Sequence, residues 1–307
     1  MTRPVTVGLD GSRESRAAAE WAAREARTLG APLKLVHIRE PVPEPLAEAR
    51  VDGKETHRHW SERVPREAAE GLRLRHPDLE VTSGHLDGRP AELLAREAEE
   101  AELLVLGSRA LGPVGGFVLG SVGLAVVART ERPVVLVRAD ARAADAHAPD
   151  PAGTPSAATP NRPVVLGLDT ADPDAGVIGF AFRAAARRAT SLRVLHAWNP
   201  PPYSAYGLAV DPAHHGSMAQ QRTAALDAPL ALWRGKFPEV EVVRETGYGS
   251  PGPRLVEASA DASLVVVGRR DRRGPLGSRI GAVTHTVLHH ATAPVAVVPH
   301  PSRGAQP

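Results

Sequence analysis

The sequence predicts an α/β protein made of two tandem domains, each a doubly wound parallel sheet. Three observations carry this. Short β-branched runs alternate with longer Ala-, Leu- and Arg-rich stretches, the pattern of strand–helix–strand crossovers. The alternation then repeats at an offset of about 160 residues. Finally, a glycine-rich loop separates an apolar strand-like run from a helix start in the first copy.

The repeat is visible in four places. VTVGLD (Val5–Asp10) returns as VVLGLD (Val164–Asp169), and LVHI (Leu35–Ile38) as VLHA (Val194–Ala197). LLVLGSR (Leu103–Arg109) returns as LVVVGRR (Leu264–Arg270), and RPVVLVR (Arg132–Arg138) as APVAVVP (Ala293–Pro299). Domains of 1–138 and 162–300 follow. Between them, residues 139–161 are rich in Ala, Pro, Asp and Thr and lack periodicity, which reads as a linker. A length of 307 residues suits two domains, each long enough to bury its own core.

Within the first copy, strands are expected near Val5–Leu9, Leu33–Ile38, Leu79–Ser83, Leu103–Leu106 and Val134–Val137. Helices are expected near Arg13–Leu29, His57–Arg75, Arg89–Glu100 and Val122–Arg129. In the first helix Ala18, Trp21, Ala22, Glu25 and Leu29 share one mostly apolar side. Ser12 is placed to cap its start and Gly30 to stop it.

Composition removes several chemistries. There is no Cys, so disulfides, thiol catalysis and thiolate metal sites are excluded. The N-terminus holds no apolar segment long enough for a signal peptide, and no 18-residue apolar run occurs, so a cytoplasmic protein without membrane contact is expected. The pI is about 9.3 although the net charge is only +2. With three Tyr and no Cys, little titrates above neutrality, so the high pI is no sign of nucleic-acid binding.

The stretch Leu103–Val122 carries the chemistry. An apolar run ends at Gly107, a loop with Gly112, Gly115 and Gly116 follows, and Gly120-Ser121 opens the next helix. This arrangement presents backbone N–H groups, a helix dipole and the Ser121 hydroxyl to a phosphate. The same loop chemistry also serves a plain chain reversal, and both readings stay open on residues alone. Ligands of doubly wound sheets sit at the carboxyl ends of strands, which is where Asp10 and Gly107 fall.

Other patterns weigh less. Gly247–Gly252 fits G-x-G-x-x-G but precedes the third helix of its copy, so a cap before a Pro-started helix explains it better than a dinucleotide. Gly115–Ser121 has Walker-type glycine spacing without the lysine. His57-x-His59 and His214-His215 lack a third metal ligand, so no metal site is expected. His289-His290 suit the C-terminal end of a helix. His37 and His196 read as satisfied strand histidines rather than catalytic bases.

Both halves resemble the universal stress protein family, and the pair resembles its tandem actinobacterial form. The likeness rests on G-x2-G-x9-G-[ST] after the fourth strand and an Asp ending the first. Here these are Gly107, Ala110 in place of the second glycine, Gly120 and Ser121, with Asp10. The resemblance implies flavodoxin-like domains of the adenine nucleotide alpha hydrolase type, with strand order 3-2-1-4-5. It places ATP, with or without Mg²⁺, so that phosphates meet Gly107, Gly120 and Ser121, with Asp10 near adenine or ribose. Ile38 would meet adenine through its backbone, and Gly8, Ser108, Arg109, Gly112 and Val122 complete the set. Ala110 costs roughly 1 kcal/mol if that position needs a positive φ.

The second copy keeps Asp169, Ala197, Gly268 and Gly281 as a weaker site. Asp271 replaces the second glycine there and Ala282 the serine, while Arg269, Arg270, Arg272 and Arg273 give a charged, solvated turn. No residue set makes a convincing nucleophile and base. The expectation is a nucleotide-dependent stress sensor whose domains pair through their final strands, with a homodimer beyond that. The rivals are a slow ATPase or nucleotidyl-transfer enzyme using His37 or Asp10, and a scaffold that binds nothing.

Overall fold

Val5, Val7 and Leu9 place apolar side chains on a strand that is buried along almost its whole length, β1 (Val5–Leu9). Strands covered on both faces by crossover helices have this near-continuous apolar character. In the computed structural model, residues 2–40, 53–110, 117–118, 120–154, 156–198, 220–269 and 280–300 are described. They fall into two compact units, Met1–Ala141 and Arg142–Pro307.

In the first unit, α1 (Arg13–Leu29) follows β1 with both expected boundaries. Ser12 accepts the Ser15 N–H at 3.1 Å, and Gly30 closes the helix in the left-handed region at φ 61°. Ala18, Trp21, Ala22 and Glu25 are buried as the stripe predicted, whereas Leu29 is only half-buried. Burying one large apolar side chain contributes about 1.5–3 kcal/mol, so Trp21 anchors this helix. The chain continues through β2 (Leu33–Arg39), α2 (Gly53–Arg75), β3 (Val81–Asp87), α3 (Pro90–Glu100) and β4 (Leu103–Ala110). It ends with β5 (Phe117–Val118), α4 (Ser121–Arg129) and β6 (Val134–Arg138).

The sheet order is β3-β2-β1-β4-β6, all parallel, the order the resemblance implied. From β1 the chain winds one way to β2 and β3, then crosses to β4 and β6. The reversal lies between β1 and β4, where a crevice opens at the carboxyl ends. Two details depart from the expectations. The third strand begins two residues later than Leu79 and runs to Asp87; Leu79 instead sits in a turn, its N–H donating to the His76 carbonyl. The short β5 pairs antiparallel with the end of β4, Arg109 opposite Val118 and Ala110 opposite Phe117.

The second unit repeats the plan. It comprises β7 (Val164–Gly167), α5 (Ala175–Arg187), β8 (Leu192–Trp198), α6 (Asp227–Lys236), β9 (Val242–Tyr248), α7 (Pro251–Ala258), β10 (Leu264–Arg269), α8 (Ala282–His290) and β11 (Val295–Pro299). Its order is β9-β8-β7-β10-β11, again parallel. Gly249 at φ 121° and Pro251 at the first turn of α7 bear out the cap reading of the G-x-G-x-x-G match. Residues 142–162 are not an extended tether. His147 bridges Asn161, Ala148 donates to the Pro160 carbonyl, and Asn161 reaches the Arg188 carbonyl at 3.0 Å.

Candidate functional site

The first crevice is built by the ends of β1 and β4 and the start of α4. It has a volume of about 290 Å³. At its floor, a Cβ on Gly8 would lie 2.7 Å from a Leu106 methyl and 3.0 Å from one of Leu94, so a side chain there would have to push both leucine ends aside. Asp10 stands at the rim. Its Oδ1 accepts the Ser12 N–H at 3.0 Å and the Ser12 hydroxyl, which ties the carboxylate to the cap of α1. Ile38 lines the same space from the end of β2, and Gly120, Ser121 and Val122 line it from the start of α4.

The two glycines of the motif differ in kind. A Cβ on Gly107 would lie 2.5 Å from the Glu14 carbonyl carbon and 2.7 Å from the Ser15 nitrogen, so the first turn of α1 excludes any side chain. Gly120 caps α4 at φ −58°, without any side-chain cap, and a Cβ there would meet nothing within 4 Å among the described residues. Local packing therefore explains Gly107 but leaves Gly120 unexplained. The first N–H groups of α4 have no partner inside the helix, and its dipole favours negative charge at that end.

Seven of the expected residues meet in this crevice: Gly8, Asp10, Ile38, Gly107, Gly120, Ser121 and Val122. Ser108 does not. It is buried, and its hydroxyl donates to the Val137 carbonyl at 3.4 Å, so it braces β6 instead. Gly112, Gly115 and Gly116 lie outside the described residues, as does the Arg109 side chain. Glu14, Pro90 and Leu94 line the crevice without having been foreseen. The amphipathic period of α3 would have pointed to Leu94, but nothing local marks Glu14.

His37 is buried, with Nδ1 2.8 Å from the Leu9 carbonyl oxygen, and His196 repeats the contact with Leu168 at 3.0 Å. Both are satisfied strand histidines, as read from the sequence. The side chains of His57 and His59, and His214 and His215, lie outside the described residues. Among the described residues no group of three or more metal-ligating side chains occurs, and no helix is long and apolar enough to cross a membrane.

The second crevice holds Asp169, Ala197, Gly268 and Gly281 together in a volume of about 500 Å³. Asp169 Oδ1 accepts the Ala171 N–H at 2.9 Å, and Asp174 caps α5 through the Val177 N–H. Arg269 corrects one expectation. It ends β10 opposite Pro299 and is 2% exposed, so it belongs to the sheet rather than to a solvated turn. Asp271, Arg270, Arg272 and Arg273 lie outside the described residues.

The family model described as the universal stress protein family matches residues 1–138 and again 160–299. This chain belongs to the universal stress protein family. A universal stress protein of Mycobacterium tuberculosis is 32% identical over 307 residues, covering 95% of this chain and 96% of that protein. One from Mycolicibacterium smegmatis is 32% identical over 304 residues, covering 96% of each. Among solved structures, a universal stress protein from Archaeoglobus fulgidus shares the fold at a TM-score of 0.67 and 14% identity, over 96% of this chain and 98% of that one. The relatives match along both units, so the duplication is part of the family likeness and not a peculiarity of this chain.

Proposed function

We propose that the first unit of this universal stress protein binds an adenine nucleotide, ATP, and that the protein acts as a nucleotide-dependent sensor in a stress response. The observation that carries the reading is Gly120. A glycine with an ordinary negative φ and, among the described residues, open space where a side chain would stand finds no packing partner there. It has a role if a ligand approaches the backbone closely, as phosphate oxygens do at a helix N-terminus.

In this reading Gly107, Gly120 and Ser121 receive the phosphates, together with Arg109 near the end of β4 and Gly112 beyond it. Asp10 takes ribose hydroxyls or the adenine edge, Ile38 faces adenine, and Gly8 and Val122 shape the slot. Mg²⁺ accompanies the phosphates, because Asp10 and Glu14 are the charged groups among the described residues of the crevice. His37 spends one ring nitrogen on a carbonyl and Asp10 spends an oxygen on a helix cap. These engagements favour a sensor over an enzyme. The same reading has the final strands β6 and β11 cover one another's edges, with a homodimer of whole chains beyond that.

Titration calorimetry of the whole chain with ATP, with and without Mg²⁺, tests the reading. Gly120→Val should weaken binding by at least roughly tenfold while the protein stays folded. Unchanged affinity in that variant would remove ATP from this crevice.

A further inference from the structure

The two crevices share one end and differ at the other. In each, a leucine from the third helix of the unit fills the space beside the glycine of the first strand: a Cβ on Gly8 would lie 3.0 Å from a Leu94 methyl, and one on Gly167 2.8 Å from a Leu255 methyl. Each also carries a proline at the start of that helix, Pro90 and Pro251. A flat apolar slot is thus kept in both. In the second unit it is wider, because Ala197 stands where the first has Ile38.

The rim beside the slot is exchanged as a pair. In the first unit β2 and β3 close their register with Arg39 opposite Asp87, joined by a two-pronged ion pair at 2.6 and 2.7 Å. In the second unit the same register position holds Trp198 opposite Tyr248, with ring centroids 5.0 Å apart. Trp198 lines the crevice, His196 stacks on it at 5.8 Å, and the Arg222 guanidinium stands 5.7 Å from its ring centre. An exposed ion pair has become an aromatic wall.

At the phosphate end the described residues offer fewer donors. Ala282 opens α8 where Ser121 opens α4, so no hydroxyl stands there. Thr284, two residues further on, donates its hydroxyl to the Gly268 carbonyl at 2.9 Å. The His300 ring lies against Gly268 on the side where a Cβ would project. Among the described residues Asp169, Asp172 and Asp174 line the crevice, one carboxylate more than in the first unit, and Arg222 lines it beside them. Carboxylates repel a polyphosphate and accept hydroxyl hydrogens readily.

We propose that the second unit's crevice takes an uncharged nucleoside, a planar base with a hydroxylated sugar, in preference to a nucleotide. The base enters the slot beside Ala197 and the aromatic wall, and the sugar hydroxyls meet Asp169 and Asp172. This rests on the reading of the first crevice as a nucleotide site, through the slot the two share.

Adenosine and ATP, each titrated into the whole chain by calorimetry, test it. Asp169→Asn, at an exposed position, should weaken the adenosine isotherm roughly tenfold, as should the paired change Trp198→Arg with Tyr248→Asp, which copies the first unit's rim. Circular dichroism confirms that each variant is folded, and Asp169→Asn decides the matter if the paired change is not. Ala282→Ser should bring ATP into competition with adenosine. Adenosine binding that is absent from the wild type, indifferent to Asp169→Asn, or displaced equally well by ATP overturns the proposal. Adenosine binding that is sensitive to Asp169→Asn in a chain that binds no ATP supports it while removing the reading of the first unit.

Discussion

The Nδ1 atom of His37 lies 2.8 Å from the carbonyl oxygen of Leu9. The bond crosses from β2 to the last residue of β1, one peptide before Asp10, and so fixes where the carboxylate emerges. His196 and Leu168 repeat it before Asp169. Replacing His37 with Phe keeps the volume and removes the bond. Leaving a buried carbonyl short of its donor costs about 1–3 kcal/mol. Urea denaturation should show that loss, and an unchanged midpoint would mean the histidine contributes only bulk.

Gly107→Ala and Gly120→Ala should separate folding from binding. A methyl at Gly107 meets the Glu14 carbonyl carbon at 2.5 Å, and forcing α1 outward costs about 1–3 kcal/mol. A methyl at Gly120 meets nothing within 4 Å among the described residues and restricts the unfolded chain, so stability should hold or rise by about 0.4–1 kcal/mol. Thermal melts of the two variants should therefore move in opposite directions, while ATP titration should register a loss for Gly120→Ala.

The last helix, α8, gives the second unit a dependence on pH. Burial, then the neighbouring His289 and His290, hold the pKa of His285 below its ordinary value. The unfolded chain thus binds a proton more readily than the folded one. The contribution is intact above about pH 6.5 and is lost as pH falls from there toward the folded value. Urea midpoints at pH 7.5 and pH 5.5 (chosen as about one unit either side of 6.5) should differ, with the lower stability in acid. His285→Gln should shrink that difference, and an equal slope in the variant would place the titration elsewhere.

Edge strands invite a final measurement. Val134, Val135, Leu136 and Val137 in β6 are apolar throughout and follow Pro133. A parallel edge of this kind needs cover. Residues 1–141 expressed alone should self-associate, as light scattering would report, because the cover proposed from β11 is then missing. A monomer at all concentrations would show that β6 needs no partner strand.

Much of this architecture was legible because local signals agreed with one another. Ser12 and Gly30 bracket α1, and the apolar run of β4 stops at a glycine. The third strand was misplaced because it is a sheet edge. Its Ser83, Gly84 and His85 are exposed and carry no apolar signature, while the buried Leu79 belongs to the preceding turn. In the first crevice the motif residues stood out, except that Ser108 turned toward β6. Glu14 and Leu94 did not, since their approach to Gly107 and Gly8 is made by packing across the chain. In the second crevice Trp198, Leu255 and Thr284 come from three separate elements, and no spacing in the sequence joins them.

The glycines that cap α4 and α8 also bear on how a duplicated chain ages. After a gene doubles, a residue that packing holds is retained wherever the fold is retained, and Gly8 and Gly167 are held in that way, since a Cβ on either would lie within about 3 Å of a leucine methyl. A residue held only by a ligand is released once its copy falls silent, and any of a dozen side chains could drift in. Gly281 sits at φ −70° with nothing within 4 Å of a Cβ among the described residues, so none of them places a demand on it. It is still glycine. Among the described residues nothing but the ligand proposed for the second crevice would ask for it.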